Sequence, residues 1–225
     1  MFDFYGTVVD MQSGLTAAIA PYLARRGYTG DPGRVVTWWR RTHFENSMID
    51  ALLHRGHTPY REIGRRSLDV TLERARVPHT DEEVTHLVSE IERLQPFADV
   101  PPALDRLARR YRLTVLSNGD PDMLERGIAF SGLAFERAIS AADAGSFKPD
   151  SATYRRAAGV VGLELDAILF VASHPFDCVG AGACGMRTAF VDRRGRPFGQ
   201  TPHQPDVVVP DLGALADALL PGGEG

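Results

Sequence analysis

Lysine is almost missing from this 225-residue chain: of 25 basic residues, all but Lys148 are arginine. Asparagine is nearly as scarce, present only as Asn46 and Asn118. There are two cysteines, Cys178 and Cys184, six positions apart, a spacing that fits neither a CxxC metal or redox site nor a disulfide framework. Both therefore read as small core residues. No apolar run approaches the ~20 residues needed to cross a bilayer, and no charged-then-apolar leader opens the chain, so the expected location is the cytoplasm. Excess positive charge is absent too: the net charge is −4, which advertises neither nucleic acid nor anionic lipid as a partner.

What is present is an ordinary globular composition, 44% hydrophobic and 24% charged, enough for one sizeable domain or a domain with an inserted lobe. Within it the single lysine asks for a specific reason. An ammonium is a compact point charge whose donors converge on one carboxylate, and a planar guanidinium does not replace it in a tight pocket. The opening stretch MFDFYGTVVD raises a second question, because Asp3 lies between two phenylalanines. A carboxylate in such a setting is paired, used, or part of a turn, here one that Gly6 would complete.

Residues 1–4 read as the end of a strand. From Ser13 to about Leu94 the period becomes helical, over 13–27 with a stop at Gly27, over 33–53, over 60–77, and after a capping box from Thr80 to Glu83. Four helices with short polar links predict a small bundle. Beyond residue 95 short apolar runs alternate with helical stretches: LTVLS (113–117), FERAIS (135–140, the weakest), ILFVAS (168–173), TAFVD (188–192) and DVVV (206–209). That alternation predicts an α/β fold, a doubly wound parallel sheet with helices on both faces. Residues 1–12 and 95–225 form this core and 13–94 are an insertion after the first strand. The final PGGEG (221–225) is expected to fray.

Ligands of an open parallel sheet bind beyond the carboxyl ends of its strands. The polar residues just after each strand are Asp3, Tyr5 and Thr7, then Ser117 and Asn118, then Lys148, then Ser173, His174 and Asp177. Two carboxylates, one ammonium, hydroxyls and an amide at one edge make a candidate nucleophile with its electrostatic partner. Four segments, FDFYGTVVD, LTVLSNGD, SFKPDSATYRRA and FVASHPFDCVGAGACGMRTAF, resemble in order the four motifs of the haloacid dehalogenase superfamily, in particular its L-2-haloacid dehalogenase (type II) branch. The resemblance spans essentially the whole chain, and the lone lysine falls in its FKP motif.

The resemblance implies a Rossmann-like core with a helical cap, and hydrolysis of a small-molecule carboxylate with no metal and no cofactor. Phosphatases of the superfamily carry a second acid two residues after the nucleophile, to protonate an alkoxide, and hold Mg²⁺ with further carboxylates. Here those positions are Tyr5 and Ser173, and a halide leaves without a proton. Carried over, Asp3 forms an aspartyl ester, Thr7 holds its loop, Lys148 keeps it ionised, and Ser117 binds the substrate carboxylate. Arg40 with Asn118 and Phe176 cradles the halide, Tyr154 supports the site, and Asp177 activates the water. Inversion converts an (S)-2-haloacid into the (R)-2-hydroxy acid. A homodimer formed through the cap is the expected assembly.

Several readings stay open at this level. Arg41 competes with Arg40, and Tyr154 also reads as a half-buried helix residue. His54 and His57 read as surface histidines of a polar loop, and Trp38 and Trp39 as packing of which only one faces the crevice. The branch has Ser-Ser-Asn where this chain has ASH, so Ala172 lacks a hydroxyl and His174 replaces an amide with a titratable ring. His174 is thereby either a second base beside Asp177 or a spacer before Pro175. Only two residues precede Asp3, so either the true start lies upstream of Met1 or the sheet has a clipped central strand. The competing functions are hydrolysis of another electrophile such as a phosphate ester, and a degenerate binding protein on the same fold.

Overall fold

Among the described residues each β-strand is three to five residues long, and those at 114–117, 169–172 and 187–191 are buried along nearly their whole length, as strands covered on both faces are. The computed structural model describes residues 1–220, so the fraying expected for 221–225 lies outside the described residues. Strand β1 (Thr114–Ser117) pairs in parallel with β2 (Arg137–Ser140), and β3 (Leu169–Ala172) pairs in parallel with β4 (Arg187–Val191), which pairs with β5 (Val207–Val209). The weak reading at 135–140 is thus an edge strand, exposed over its first half.

The two groups of strands are joined by the start of the chain. Phe2 bridges Val115 on one side and Val171 on the other. Its N–H donates to the Thr114 carbonyl at 2.8 Å, and the Asp3 N–H donates to the Val171 carbonyl at 2.9 Å. A strand expected over 1–4 is therefore a single bridged residue, yet it occupies the middle of the sheet. Phe2 and Phe4 are buried beside it, each side chain contributing roughly 2–3 kcal/mol by leaving water.

After this central link come four helices in succession, α1 (Met11–Arg25), α2 (Pro32–Leu53), α3 (Tyr60–Arg74) and α4 (Asp81–Ser89). Asp10, not Ser13, caps α1, accepting from the Ser13 N–H, so the helix begins earlier than its apolar period indicates. The Thr80–Glu83 capping box of α4 is present in both directions. Trp39 is buried and its indole N–H donates to the Gly64 carbonyl at 3.0 Å, locking α2 to α3. Trp38 is half-buried under Arg34 and Arg74, so neither tryptophan faces the cleft. Cys178 and Cys184 are buried free thiols, as their spacing indicates.

The core helices are α5 (Val100–Leu107), α6 (Pro121–Ser131), α7 (Ser151–Val161), α8 (Pro175–Ala183) and α9 (Leu212–Leu219). One carboxylate ties the two halves together. Asp120, just past β1, accepts from the N–H groups of Tyr60 and Arg61 at 2.7 and 3.1 Å, capping α3, whose own N-cap is Pro59. No helix among the described residues is long and apolar enough to cross a membrane.

Candidate active site

Because Phe2 is hydrogen-bonded on both sides, Asp3 leaves the sheet at its carboxyl edge between β1 and β3. Ser117 and Asn118 leave β1 at the same edge, Ser173 and His174 leave β3 there, and Lys148 follows the short helical turn after β2. Register thus delivers residues separated by up to 171 positions to one crevice.

The floor of that crevice is a closed ionic chain. The Lys148 ammonium donates to Asp3 Oδ1 at 2.8 Å, to Asp177 Oδ2 at 2.7 Å and to the Leu116 carbonyl at 3.0 Å. All three of its protons are committed. Burial would lower its pKa, but the two carboxylates outweigh burial and raise it. Burial alone would raise the Asp3 carboxyl; the Lys148 charge and the His174 contact overcome that and hold it well below the usual carboxylate range. Thr7 Oγ1 donates to Asp3 Oδ2 at 2.6 Å and accepts from the Ser173 N–H at 2.9 Å.

Asp177 differs from Asp3. Burial pushes its pKa up, against the opposing pull of Lys148. Its second oxygen accepts from the Tyr154 hydroxyl at 2.6 Å, and both residues are 0% exposed. Burial and the Asp177 charge keep the Tyr154 phenol protonated far into alkali. Tyr154 is therefore a fully buried partner of Asp177, not a half-buried helix residue.

Above the floor opens a cleft of about 880 Å³. His174, 19% exposed at its side chain, brings Nδ1 to 3.2 Å from Asp3 Oδ2. Since a carboxylate only accepts, Nδ1 is the donor in this contact. Gly6 makes the approach feasible: it has φ +83°, and a Cβ there would lie 3.0 Å from the His174 ring and 3.2 Å from Arg40 Nη2. Arg40 is steadied by Gln12 Oε1 at 2.8 Å, while its buried Nε has no partner within the protein. Burial and the nearby Arg194 lower its pKa to about 10. Arg41, by contrast, reaches outward to Glu45 at 2.8 Å. Tyr5 stacks on Tyr60 with ring centroids 6.0 Å apart, in a space left by Gly119, whose Cβ would sit 2.8 Å from the Tyr5 ring. Phe176 packs on Phe44 at 4.2 Å.

Of the residues singled out from sequence, Asp3, Tyr5, Arg40, Ser117, Asn118, Lys148, His174 and Phe176 line the cleft. Thr7, Tyr154, Ser173 and Asp177 stand behind that lining. Ser117 Oγ accepts from the Gly119 N–H at 3.3 Å, Asn118 Oδ1 accepts from the Lys148 N–H at 2.8 Å, and Ser173 Oγ is buried without a partner within the protein. The reading of both loop histidines as surface residues needs correcting for one: His54 is exposed, but the His57 ring packs on Phe147 at 4.5 Å with both nitrogens buried. Aromatic contact across 90 positions leaves no local trace in sequence. Gln12, His43, Tyr60, Arg194 and Arg196 also line the cleft and were not singled out, because nothing in their immediate neighbourhoods marks them. Among the described residues, no three His, Cys, Asp or Glu side chains converge as a metal site requires.

This geometry has counterparts. The family profile of the haloacid dehalogenase-like hydrolases matches residues 1–185. Haloacetate dehalogenase H-2 of Moraxella sp. (strain B) is 30% identical, covering 97% of this chain and 96% of its own. The (S)-2-haloacid dehalogenase of Pseudomonas sp. (strain YL) is 29% identical, covering 96% and 91%. Among solved structures, the L-2-haloacid dehalogenase from Xanthobacter autotrophicus with chloropropionic acid covalently bound superposes with a TM-score of 0.86 at 29% identity, covering 99% of this chain and 98% of that one.

Proposed function

The chain belongs to the haloacid dehalogenase-like hydrolases, and from that premise we propose that it hydrolyses an (S)-2-haloacid to the (R)-2-hydroxy acid through an ester on Asp3. The observation that carries this reading is an ionised, nearly buried Asp3 bound to Lys148, with a tyrosine rather than an acid two residues on. A desolvated carboxylate is a better nucleophile than a hydrated one, and the fixed ammonium aims it without protonating it. The covalent adduct in the Xanthobacter enzyme supports the same route.

In the first step an Asp3 oxygen attacks the halogen-bearing carbon from the rear. The carbon–halogen bond breaks, and the halide leaves with the bonding pair toward Arg40, Asn118 and Phe176. Ser117 and its loop hold the substrate carboxylate. In the second step water adds to the ester carbonyl of Asp3 and gives up a proton. Collapse breaks the bond between that carbonyl carbon and the substrate oxygen. The hydroxy acid takes up a proton, and the Asp3 carboxylate is regenerated.

We assign the water's proton to His174. Both Asp177 oxygens are engaged, by Lys148 and Tyr154, and its side chain is sealed from the cleft. Asp177 therefore positions Lys148, while His174 lines the cleft in contact with Asp3. We also place the enzyme in the cytoplasm as a homodimer, with residues 13–94 covering the site. The exposed Ile49, Leu52 and Leu53 near the end of α2 support self-association.

The test is chloride release from (S)-2-chloropropionate, with the configuration of the lactate formed. Asp3→Asn is expected to lower turnover by at least about a thousandfold, as loss of a nucleophile does. Near-normal turnover by that variant, or hydrolysis of p-nitrophenyl phosphate in place of dechlorination, would overturn the reading.

A further inference from the structure

The mouth of the cleft holds more positive charge than a simple haloacid can use. Arg34, Arg40, Arg194 and Arg196 all line it, and none has a carboxylate partner among the described residues. Their neighbours are accounted for: Arg41 is paired with Glu45, and Arg193 with both oxygens of Asp99 at 2.8 and 3.1 Å. Arg193 also lies over the Phe97 ring and donates to the Thr7 carbonyl, so it is structural. Asp192 Oδ1 accepts from the N–H groups of Arg194 and Arg196, which folds the loop after β4 so that both side chains border the cleft. Two carboxylates on the lining, Asp10 and Asp31, are occupied as helix N-caps.

Clustered cations with no ion-pair partner repel one another unless an anion joins them, and the charges of Asp10 and Asp3 offset this at Arg40. That strain registers on the side chains, since burial and Arg196 together lower the pKa of Arg194. Arg40 answers for one negative charge, the substrate carboxylate or the departing halide. The remaining guanidinium groups make no ion pair with the carboxylates of the buried floor, which are held by Lys148. Size points the same way: 880 Å³ is ample for a drug-sized ligand, whereas a three-carbon haloacid fills one corner of it.

We propose, building on the dehalogenase reading, that this site takes a 2-haloacid bearing a second anionic group, such as a halogenated dicarboxylate. The halogenated end meets Asp3 and the distal carboxylate lies between Arg194 and Arg196 at the mouth. A guanidinium offers a planar pair of donors suited to a carboxylate, which makes the arrangement selective as well as attractive.

The decisive comparison is kcat/KM for (S)-2-chlorosuccinate against (S)-2-chlorobutanoate, which has the same carbon count and a neutral tail. The wild type is expected to prefer chlorosuccinate by about tenfold or more, the scale of two partly exposed ion pairs. In Arg194→Ala/Arg196→Ala that preference should largely vanish. Equal rates on the two substrates, or a preference that survives in the double variant, would overturn the proposal. So would a double variant that slows both substrates alike, because general steering of anions does that. Calorimetric titration with the products, (R)-malate against (R)-2-hydroxybutanoate, needs no turnover. If neither chloroacid is dechlorinated, the dehalogenase reading fails by itself. The second-anion proposal then stands on tighter malate binding that is lost in the double variant, and falls if the two products bind alike.

Discussion

The floor and the mouth of the cleft are both built from charge, yet they are opposite kinds of construction. On the floor every charged atom is spoken for: Lys148 by two carboxylates and a carbonyl, Asp177 by Lys148 and Tyr154, Asp3 by Lys148, Thr7 and His174. At the mouth four guanidinium groups have no carboxylate among the described residues. A buried network tolerates no vacancy, because each unpaired member costs its full desolvation. A solvated rim tolerates one easily and keeps its charge for whatever arrives. The floor therefore fixes geometry for chemistry, and the mouth leaves affinity to be realised on binding.

Lys148→Met is the strongest way to break this contrast. It strands two buried carboxylates, and the expected loss is about 3–5 kcal/mol of stability. Chloride release should drop below detection, as urea titration and assay on the same preparation will establish. A variant that keeps wild-type stability would mean the floor is not a closed network.

His43, on the wall between floor and mouth, probes pH. Its buried ring contacts the Tyr60 carbonyl at 3.0 Å, and burial depresses its pKa to about 3. A histidine that stays neutral in the folded state binds fewer protons than its unfolded counterpart between pH 6.5 and 3. Stability is therefore intact above pH 6.5 and falls as pH drops through that window, by about 5 kcal/mol in all. The raised Asp177 works in the other direction, so the difference between wild type and His43→Gln isolates the histidine. Identical pH–stability curves for the two proteins would refute the assignment.

His174 joins the two regions, touching Asp3 below and Arg40's surroundings above. His174→Asn is expected to slow hydrolysis of the ester by about a hundredfold, the usual contribution of a general base. Esterified enzyme should accumulate, visible by intact mass. An unchanged rate with no accumulation would make the ring a spacer.

The smallest effect belongs to the mouth. Arg194→Ala/Arg196→Ala should alter stability by no more than about 0.5 kcal/mol, with a slight gain from relieved repulsion. A loss of several kcal/mol in thermal or urea unfolding would show that the mouth is also structural.

What was legible in the sequence follows the same division. Asp3 and Lys148 could be read because scarcity and flanking residues marked them: one lysine among 25 basic residues, one acid between two phenylalanines. Strand–helix alternation gave the parallel sheet, and polar residues at strand ends pointed to its carboxyl edge. The sealing of Asp177 was not legible, since it depends on a hydroxyl 23 positions away meeting one particular oxygen. Arg194 and Arg196 are two arginines among 24, and only the fold brings them to the cleft. Nothing beside Asp120 in the sequence marks its role, which is to cap a helix that begins 60 positions earlier.

A consequence of the solitary lysine lies outside catalysis. Acylating reagents such as activated esters attack a free, unprotonated side-chain amine, and here that amine is both buried and held protonated by two carboxylates. Acylation at residue 148, read from its peptide by mass spectrometry, therefore occurs only in molecules whose core has opened. The chain carries a built-in chemical stopwatch for its own unfolding, placed at the lysine of the cleft floor.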